Sequence, residues 1–496
     1  MAQLLGIDLG TSSVKVIVID EAGRVLAAGS CEYPIDVPQQ GYAEQQPERW
    51  WSAVVQATRQ ALTQVSGTSV VGIGIDGQMH GGVLLNRDNK PLGSAIIWAD
   101  QRSTPQSAEL LELIGKEQFA TVGTLPMPGF MACTLRWLQQ HDPAQVEQTR
   151  SVLLPKDYVR LRLTGEIATD ASDASGTALF DINQRAWSNS IIGKMGLPDS
   201  IWPPVLESAQ PGGLLTRDAA EEMGLLPGIP VAVGCADQVA ASLGNGLIDP
   251  GIGSISISTG GTVVVPLAIA QTDPLLRLHT FCHAPVDRWY LLGAMLSAGM
   301  ALRWLRDLHS QNANSLTYEQ LAALAADVPP GSDGLFFLPY LVGERSPLMD
   351  PKARGAFVGL TLRHGLGHMA RAIMEGVAFA LRQIVETVVG LNAPVTEFYA
   401  LGGGLMNGPI WRQIVTDVLG YPLRLSLAQG RTAAGAAILG GIAAGIYSNY
   451  QEAKDATVTE YQLTEPDISR TRRYAECYQQ FVELYPLLSD FFHRQQ

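Results

Sequence analysis

The feature that most constrains the fold is a local unit that occurs twice. A strand over Leu4–Asp8 meets a Gly-Thr-Ser-Ser turn at 10–13 and returns as a second strand over Val14–Asp20. A similar unit, with its turn at Gly260–Thr262 between apolar runs, lies 250 positions further along the 496-residue chain. Two such units about half a chain apart predict a duplicated, two-lobed architecture, although Gly-rich hairpins are common enough for a chance match to stay open.

The segments after the first unit alternate in type. A third strand over Arg24–Ala28 precedes Gln46–Val65, which has apolar residues at helical spacing, and Val70–Ile75 is again strand-like. This order predicts an α/β fold with mixed sheets flanked by helices.

The length of the chain suggests two large lobes or about three domains. Turn-forming residues at 244–251 place a boundary there. We therefore expect an N-terminal lobe over 1–245 and a C-terminal lobe over 246–447. Apolar residues at helical spacing in the last segment, 448–496, predict a helical extension that packs on one of the lobes.

Composition and charge exclude several classes of function. With 34 Lys and Arg against 47 Asp and Glu, the net charge is −13, which argues against nucleic acid as a partner. The five Cys residues lie far apart, so neither a disulfide framework nor a thiolate zinc site is expected. The N-terminus lacks a signal-peptide pattern, and the apolar run 433–447 is too short for a membrane span. We expect a soluble, cytoplasmic protein with no membrane partner, and a buried small-residue helix at 433–447.

The first turn has the residue types of an anion-binding loop. Glycine lets the backbone approach a ligand, and successive N–H groups can form an anion nest. Asp8 could hold Mg²⁺ through water, since this cation usually keeps several waters. The hydroxyl and cationic groups of the unit could contact phosphate, but a β-turn with a polar tip explains them as well. The candidate nucleotide-binding residues here are Gly10, Thr11, Ser12, Ser13 and Lys15, and in the second unit Gly260, Gly261 and Thr262.

A third glycine-rich loop follows the strand predicted at Val395–Leu401. It consists of Gly402, Gly403 and Gly404, and a helix over Pro409–Leu419 comes next. A strand, a run of glycines and a helix N-terminus are typical of a nucleotide-binding loop.

A dinucleotide-type motif is a weaker indication. Gly72–Gly77 matches G-x-G-x-x-G, and Asp100 lies at a suitable distance beyond it. The dinucleotide fold needs a helix at the last glycine, whereas the strand-like Val83–Leu85 follows, so a hairpin is predicted instead. The lysine motif of P-loop NTPases does not occur in the sequence.

Two histidine pairs at helical spacing also have no third metal ligand near them in the sequence. We interpret them as surface or core residues. The pairs are His279 with His283 and His364 with His368.

Asp237 is the candidate general base. It follows an apolar strand that ends at Gly234 and precedes a helix over Gln238–Leu243, and small neighbours leave room for a ligand. A carboxylate in this place could accept a proton from a hydroxyl group. An N-cap of the following helix accounts for the same residue equally well.

Together these segments resemble the FGGY carbohydrate kinase family from Leu5 to about Tyr447, and most closely its members that phosphorylate xylulose. Gly77-Gln-Met-His-Gly81, hereafter the sugar turn, and Ile97-Trp-Ala-Asp-Gln-Arg102 carry the substrate side of the resemblance. Further matches are Asp8–Lys15, Leu154–Tyr158, Gly165-Glu166, Thr169–Gly176, Asp237, Gly343–Pro347 and Gly402–Gly404 with Asn407.

The resemblance implies the duplicated fold of actin and hexokinase, with ATP and sugar in the cleft between the lobes. It implies transfer of the γ-phosphate of ATP to D-xylulose, with Asp237 as general base and Mg²⁺ organised near Asp8. It places Asn407 at the adenosine site and admits a homodimer, which nothing else in the sequence indicates. The substrate-binding residues implied are Gln78, Met79, His80, Trp98, Asp100 and Asp237.

The chain departs from the family pattern at three positions. Thr134 replaces a frequent lysine, Gly261 replaces a hydroxyl residue in the second turn, and Asp76 stands where a small residue is common. The first two bear on catalytic efficiency and the grip on the nucleotide, and the third on the identity of the sugar. The alternatives are a kinase for another ketose, polyol or aldonate, such as ribulose, fuculose or gluconate, and a nucleotide-gated binding protein without phosphotransfer.

Overall fold

A computed structural model describes residues 2–310, 316–427, 430–457 and 461–494. The strands of the described chain are, in order, β1 (Gln3–Leu9), β2 (Ser13–Asp20), β3 (Val25–Glu32), β4 (Glu44–Gln45), β5 (Val70–Gly77), β6 (Val83–Leu85), β7 (Ala95–Ile96), β8 (Ser151–Leu153), β9 (Thr169–Asp170), β10 (Phe180–Asp181), β11 (Ala186–Trp187), β12 (Val205–Leu206), β13 (Pro211–Leu214), β14 (Pro230–Ala232), β15 (Cys235–Ala236), β16 (Gly251–Ile257), β17 (Gly261–Leu267), β18 (His279–Cys282), β19 (Trp289–Met295), β20 (Phe336–Leu338), β21 (Ala356–Val358), β22 (Val395–Leu401), β23 (Leu423–Ser426) and β24 (Tyr461–Thr464).

The α-helices of the same residues are α1 (Pro47–Leu62), α2 (Thr104–Ile114), α3 (Lys116–Thr121), α4 (Met131–His141), α5 (Pro143–Gln148), α6 (Pro155–Thr164), α7 (Ala171–Ala174), α8 (Asn189–Met195), α9 (Arg217–Met223), α10 (Asp237–Gly244), α11 (Gly299–Ser310), α12 (Tyr318–Ala326), α13 (Leu366–Gly390), α14 (Gly403–Met406), α15 (Pro409–Leu419), α16 (Arg431–Ala443), α17 (Tyr450–Thr457) and α18 (Ile468–Arg494).

Two large mixed sheets share one topology. The first runs in the order β13-β14-β5-β1-β2-β3, and the second in the order β24-β23-β22-β16-β17-β19, with β18 added at its edge. In both sheets the outermost pair at the first end is antiparallel, the next two pairs are parallel and the remaining pairs are antiparallel. The duplication is therefore present in the fold, and the two Gly/Thr turns are the equivalent β1–β2 and β16–β17 connections.

Each sheet is covered by amphipathic helices that bury its apolar face. In the first lobe α1 packs on β2 and β3, and in the second lobe the 25-residue helix α13 packs on β17 and β19. The terminal helix α18 packs against α13 and α15, where Tyr474, Tyr478 and Phe481 join the core of the second lobe. The segment before it is not wholly helical, because β24 pairs with β23 at the sheet edge.

The small-residue helix predicted at 433–447 is α16, and most of its residues are buried. It lies between the first sheet and α10, so a side chain at Gly74 of the sheet would meet the helix backbone at Ala436, and one at Gly435 would meet α10 at Ala240. Glycine is required at these two positions because backbone approaches backbone too closely for a Cβ. α16 belongs by sequence to the second half and packs on the first sheet, so it ties the two lobes together beside the cleft.

One local prediction is wrong. The run Val83–Leu85 forms β6, which pairs with β8 and not with β5, so the expected hairpin after Gly77 does not form. No helix opens at Gly77 either, which removes the dinucleotide-binding interpretation. The chain leaves the sheet at the sugar turn, where His80 adopts a positive φ of 76°.

Candidate active site

A cleft of about 810 Å³ lies between the two sheets, at the ends of their central strands. Both lobes contribute to it, and the residues of the separate predicted motifs meet there. The predicted site residues that line the cleft are Asp8, Thr11, Lys15, Met79, His80, Trp98, Asp237, Gly260, Gly261, Thr262 and Gly402.

Asp8 lies near the end of β1, with Lys15 across the hairpin and Asp76 on the parallel strand beside it. Burial raises the pKa of Asp8 to about 6, although the charge of Lys15 acts in the opposite direction. Asp76 is fully buried and neither of its carboxylate oxygens has a hydrogen-bond partner outside this pair. Burial and the charge of Asp8 hold the pKa of Asp76 well above its usual range. The strand ends thus bring two carboxyl groups together in a place that favours added positive charge.

The first turn is fixed by hydrogen bonds within the first lobe. The N–H of Gly10 donates to the carbonyl of Ser13 at 3.0 Å, and the Tyr33 hydroxyl donates to the carbonyl of Gly10. The indole of Trp98 donates to the Thr11 hydroxyl at 2.9 Å, which joins the predicted sugar segment to this turn. Thr11 faces the cleft, whereas Ser12 is exposed and, like Gly10 and Ser13, does not line it.

The second turn compensates in part for the hydroxyl that Gly261 lacks. The N–H of Ser258 donates to the carbonyl of Gly260 at 2.8 Å, and this closes the turn with Ser258 and Thr259 facing the cleft. Ser254 and Ser256 line the cleft as well. The alternation Ser-Ile-Ser-Ile-Ser along β16 signals a strand with one polar face, and this pattern in the sequence would have identified these residues.

The third loop differs from its prediction in one respect. Gly402 lines the cleft with φ of 76°, but Gly403 and Gly404 begin the short helix α14, which comes before the predicted helix at Pro409. Asn407 ends α14 and is exposed beside the cleft without lining it. The strand over Val395–Leu401 and the helix over Pro409–Leu419 have the predicted bounds.

The sugar turn presents two of its side chains to the cleft, Met79 and His80. The imidazole of His80 stacks on Phe130 with ring centroids 3.8 Å apart, and its Nδ1 lies 2.5 Å from the carbonyl oxygen of Gly176. A carbonyl only accepts, so Nδ1 carries the proton and donates. Burial, aided by the charge of Arg345, lowers the pKa of His80 to about 4, so the ring is neutral at pH 7. Its Nε2 is therefore left as an acceptor for a ligand hydroxyl.

Two predicted sugar contacts are occupied by protein partners. Asp100 is fully buried, pairs with Arg102 at 2.9 Å and accepts the N–H of Ala43 at 2.6 Å. Gln78 is buried and donates to Gln45 at 2.8 Å. Neither residue lines the cleft. Both oxygens of Asp100 accept hydrogen bonds from the chain itself, so Asp100 joins the segments around the cleft, and a contact with a sugar hydroxyl stays a prediction.

Asp237 is the first residue of α10, and the N-cap position belongs to Ala236. Its Oδ1 accepts the N–H of the adjacent Gln238 at 2.7 Å, so the N-cap alternative does not hold. Burial, and then the charge of Asp8, raise the pKa of Asp237 to about 7. A carboxylate with a pKa near the working pH, facing a cleft, has the property required of a general base.

Two cations in the cleft were absent from the predicted site. Arg345 follows Glu344, whose Oε1 accepts the N–H of Leu296 at 2.9 Å and so fixes this segment in the second lobe. Arg431 begins α16 and lines the same cleft. Within the described ranges neither guanidinium forms an ion pair, and burial lowers the pKa of both. The Gly343–Pro347 match contained Arg345, but no local pattern separates a cleft arginine from a surface one.

The two histidine pairs lie in different surroundings. His279 and His283 are buried, and burial lowers the pKa values to about 3 and about 4, respectively. His364 and His368 lie outside the cleft near Asp333. Across the part of the chain that the structure describes, no three His, Cys, Asp or Glu residues are arranged to hold a metal ion by themselves. No helix among the described residues is long and apolar enough to cross a membrane.

Sequence profiles of the FGGY family of carbohydrate kinases match almost the whole chain. The profile of the N-terminal domain matches residues 3–244, and that of the C-terminal domain matches residues 253–444. The chain belongs to the FGGY family.

Individual relatives agree with this assignment. A Lactococcus lactis protein named xylulose kinase is 35% identical to this FGGY kinase over 499 residues, covering 100% of this chain and 98% of the relative. The crystal structure of a xylulose kinase from Rhodospirillum rubrum superposes with a TM-score of 0.92 at 32% identity, covering 99% of this chain and all of that one. A Bacillus subtilis protein named gluconokinase is 30% identical over 497 residues, covering 98% of this chain and 96% of the relative.

Family membership accounts for the geometry of the cleft. This FGGY kinase is a phosphotransferase with the two-lobed actin/hexokinase-like fold, and ATP is its phosphate donor. The two duplicated turns face this cleft from opposite lobes. The sugar turn, through Met79 and His80, and Asp237 contribute side chains of the first lobe to the same cleft.

Proposed function

We propose that this FGGY kinase transfers the γ-phosphate of ATP to the terminal hydroxyl of D-xylulose, giving D-xylulose 5-phosphate and ADP. The observation that carries the proposal is the position of Asp237, with its pKa of about 7, in one cleft with Met79 and His80 of the sugar turn. The relatives named xylulose kinase support the choice of sugar. Cytoplasmic location and a homodimer stay predictions.

In the proposed reaction Asp237 accepts the proton of the acceptor hydroxyl of the sugar. At the same time the hydroxyl oxygen forms a bond to the γ-phosphorus, and the bond between that phosphorus and ADP breaks. Most of the acceleration in phosphoryl transfer comes from positioning and electrostatic stabilisation. His80 accepts a hydrogen bond from a second sugar hydroxyl through Nε2, and Met79 packs on the carbon skeleton. Trp98 would close the site over the sugar, since its ring is 39% exposed in the cleft.

The nucleotide would lie between the two turns. Thr11 and Lys15 from one lobe and Gly260–Thr262 from the other face the same space, so they would contact the phosphates. Gly10, Ser12 and Ser13 shape the first turn and can offer only backbone or peripheral contacts. We assign Gly402–Gly404 and Asn407 to the adenosine side, because the family resemblance places them there and Gly402 lines the cleft at the end of β22.

The residues around Asp8 fit a magnesium ion that accompanies ATP. Asp76 has two buried oxygens without partners beside the Asp8 carboxylate, and the pKa values of both are raised, so a cation here would be stabilised by both groups. Mg²⁺ keeps several waters and is usually held by one or two carboxylates and substrate phosphates, in line with the lack of a cage of protein ligands. When bound, it would offset the charge that develops on the phosphate oxygens. Asp8 would hold it through water.

The experiment that tests the proposal is a substrate panel with MgATP and coupled detection of ADP, across pentuloses, hexuloses, polyols and aldonates. D-xylulose should give the highest kcat/KM. One observation favours a second candidate, gluconate. Arg345 forms no ion pair with any described residue and its charge acts on His80 of the sugar turn, which suits a carboxylate, and a relative is named gluconokinase. A wide margin for gluconate would replace xylulose, while ADP release that does not depend on any sugar would contradict phosphotransfer altogether.

The orientation of His80 gives a prediction about sugar binding. His80→Ala should lower kcat/KM for the sugar by roughly one to two decades, since a lost buried hydrogen bond costs about 1–3 kcal/mol. The KM for ATP should change by less than about twofold. Initial rates over a grid of both substrates measure the two effects separately.

His279 offers a matched control for this variant. It is also a buried neutral imidazole, hydrogen-bonded to Thr124 at 2.7 Å, but it does not line the cleft. His279→Ala should share the loss of stability and keep the kcat/KM for the sugar. Equal losses of kcat/KM in the two variants would show that His80 acts through packing alone.

A further inference from the structure

A buried ionic network lies behind Asp237, and the proposed reaction does not use it. The ammonium group of Lys156 is 2.6 Å from Asp157, 3.0 Å from Asp170 and 3.8 Å from Asp173. All four side chains are fully buried. Lys156 also packs against the sugar turn, since a Cβ added at Gly77 would lie 3.0 Å from its own Cβ. Burial of an ammonium group with three carboxyl groups is costly, and burial holds the pKa of Asp173 well above its usual range.

One branch of the network leads to the N-terminus of α10. The Ser172 hydroxyl donates to Asp170 Oδ2 at 2.5 Å and accepts the peptide N–H of Ala236 at 3.1 Å. Ala236 is the N-cap residue of α10 and its side chain cannot cap the helix. Ser172, from a distant part of the chain, therefore satisfies one of the N–H groups at the start of α10 that have no partner within the helix, immediately before Asp237.

The hydroxyl of Ser172 has a fixed orientation. Its proton is committed to Asp170, which leaves its lone pairs for the Ala236 N–H. Asp170 is held in turn by Lys156 at 3.0 Å and by the Ser208 hydroxyl at 2.7 Å. A rigid chain thus runs from the cation beside the sugar turn to the peptide that carries the candidate base.

We propose that Ser172 is a positioning residue for phosphotransfer, which sets the place of the Asp237 carboxylate by holding the Ala236 N–H. The proposal rests on the proposed role of Asp237 as general base. Displacement of a reacting group by about 1 Å costs on the order of a hundredfold in rate. Loss of the hydrogen bond from the Ala236 N–H to Ser172 therefore needs to shift the Asp237 carboxylate only slightly to give a measurable loss of rate. The residues proposed to contact the nucleotide are in other segments, so a substitution of Ser172 should leave nucleotide binding unchanged.

Ser208 provides a control of the same size, burial and chemistry. Its hydroxyl donates to the same Asp170 oxygen, whereas the hydrogen bond of the Ala236 N–H goes to Ser172. We expect Ser172→Ala to lower kcat by about 10–100-fold with the KM for ATP within about threefold of the parent. Ser208→Ala should keep kcat within about threefold, and both variants should have similarly lowered melting temperatures. Equal kcat values in the two variants would overturn the proposal.

A double-mutant cycle shows whether Ser172 acts through Asp237. In an Asp237→Asn background, Ser172→Ala should lower the residual phosphotransfer by less than about threefold, because the base that it positions is gone. An undiminished 10–100-fold effect there would mean that Ser172 acts independently of Asp237. The proposed role of Asp237 fails separately, if Asp237→Asn alone keeps activity within a few fold of the parent, and the proposed function fails in the substrate panel. Residual sugar phosphate is measured by long incubation with labelled ATP.

Discussion

Replacing Asp237 with Asn is expected to lower phosphotransfer by about two to four decades, the usual contribution of a positioned general base. The amide keeps the size of the side chain and can accept the Gln238 N–H as the carboxylate does, at 2.7 Å in the parent. The melting temperature and ATP affinity should therefore stay close to those of the parent. Steady-state kinetics, nucleotide titration and thermal unfolding of the two proteins measure these three quantities.

The pH dependence of kcat/KM in the parent protein is the control for the Asp237→Asn variant. Asp237 has to be ionised to accept a proton, and its pKa is about 7, so kcat/KM should rise with pH from about 6 to about 8 and then level off. Asp237→Asn should lose this rise. Activity within a few fold of the parent, or an unchanged pH profile, would remove Asp237 from the mechanism and leave the cleft without a base.

The sequence indicated the fold through features that are local and periodic. The two strand–turn–strand units were predicted from the alternation of residues along β2 and β16 and from glycine at the turns. These patterns are local, so they do not depend on which elements pack around the strands. The small residues of α16 likewise predicted a buried helix that lies close to the backbone of another element. What the pattern could not show was the partner, since α16 comes late in the chain and packs on the first sheet.

The site could be predicted less well, because a side chain's role depends on which neighbours already satisfy it. Asp100 and His80 both come from segments predicted to bind the sugar. The Asp100 carboxylate already interacts with Arg102 and the Ala43 N–H, whereas Nε2 of His80 is left free for a ligand. The failed hairpin after Gly77 has a similar cause, since β6 found its partner in β8, more than sixty residues later. The same holds for Ser172, whose contact with Ala236 joins residues 64 positions apart.

Replacing Asp8 tests whether its carboxylate takes part in catalysis or only supports the structure of the turn. Asp8→Asn is expected to lower kcat by about two decades and to raise the Mg²⁺ concentration needed for half-maximal rate, because the charge that would hold the ion is lost. Burial raises the pKa of Asp8 to about 6, so its ionised form destabilises the fold above that pH. The amide removes that cost, and the melting temperature at pH 8 should be unchanged or higher. Rates over a Mg²⁺ titration and thermal unfolding test both parts.

Asp20, at the other end of the same hairpin, is the matched control. Burial raises its pKa, but hydrogen bonds from Arg24 outweigh this and hold it below the usual value, so the ionised form stabilises the fold above the unfolded pKa. Asp20→Asn should therefore lower the melting temperature at pH 8 and leave the Mg²⁺ requirement as in the parent. The two carboxylates thus predict opposite outcomes from one chemical change. If Asp8→Asn behaved like Asp20→Asn, with lost stability and normal magnesium dependence, Asp8 would be a structural residue of the turn and would have no part in holding the ion.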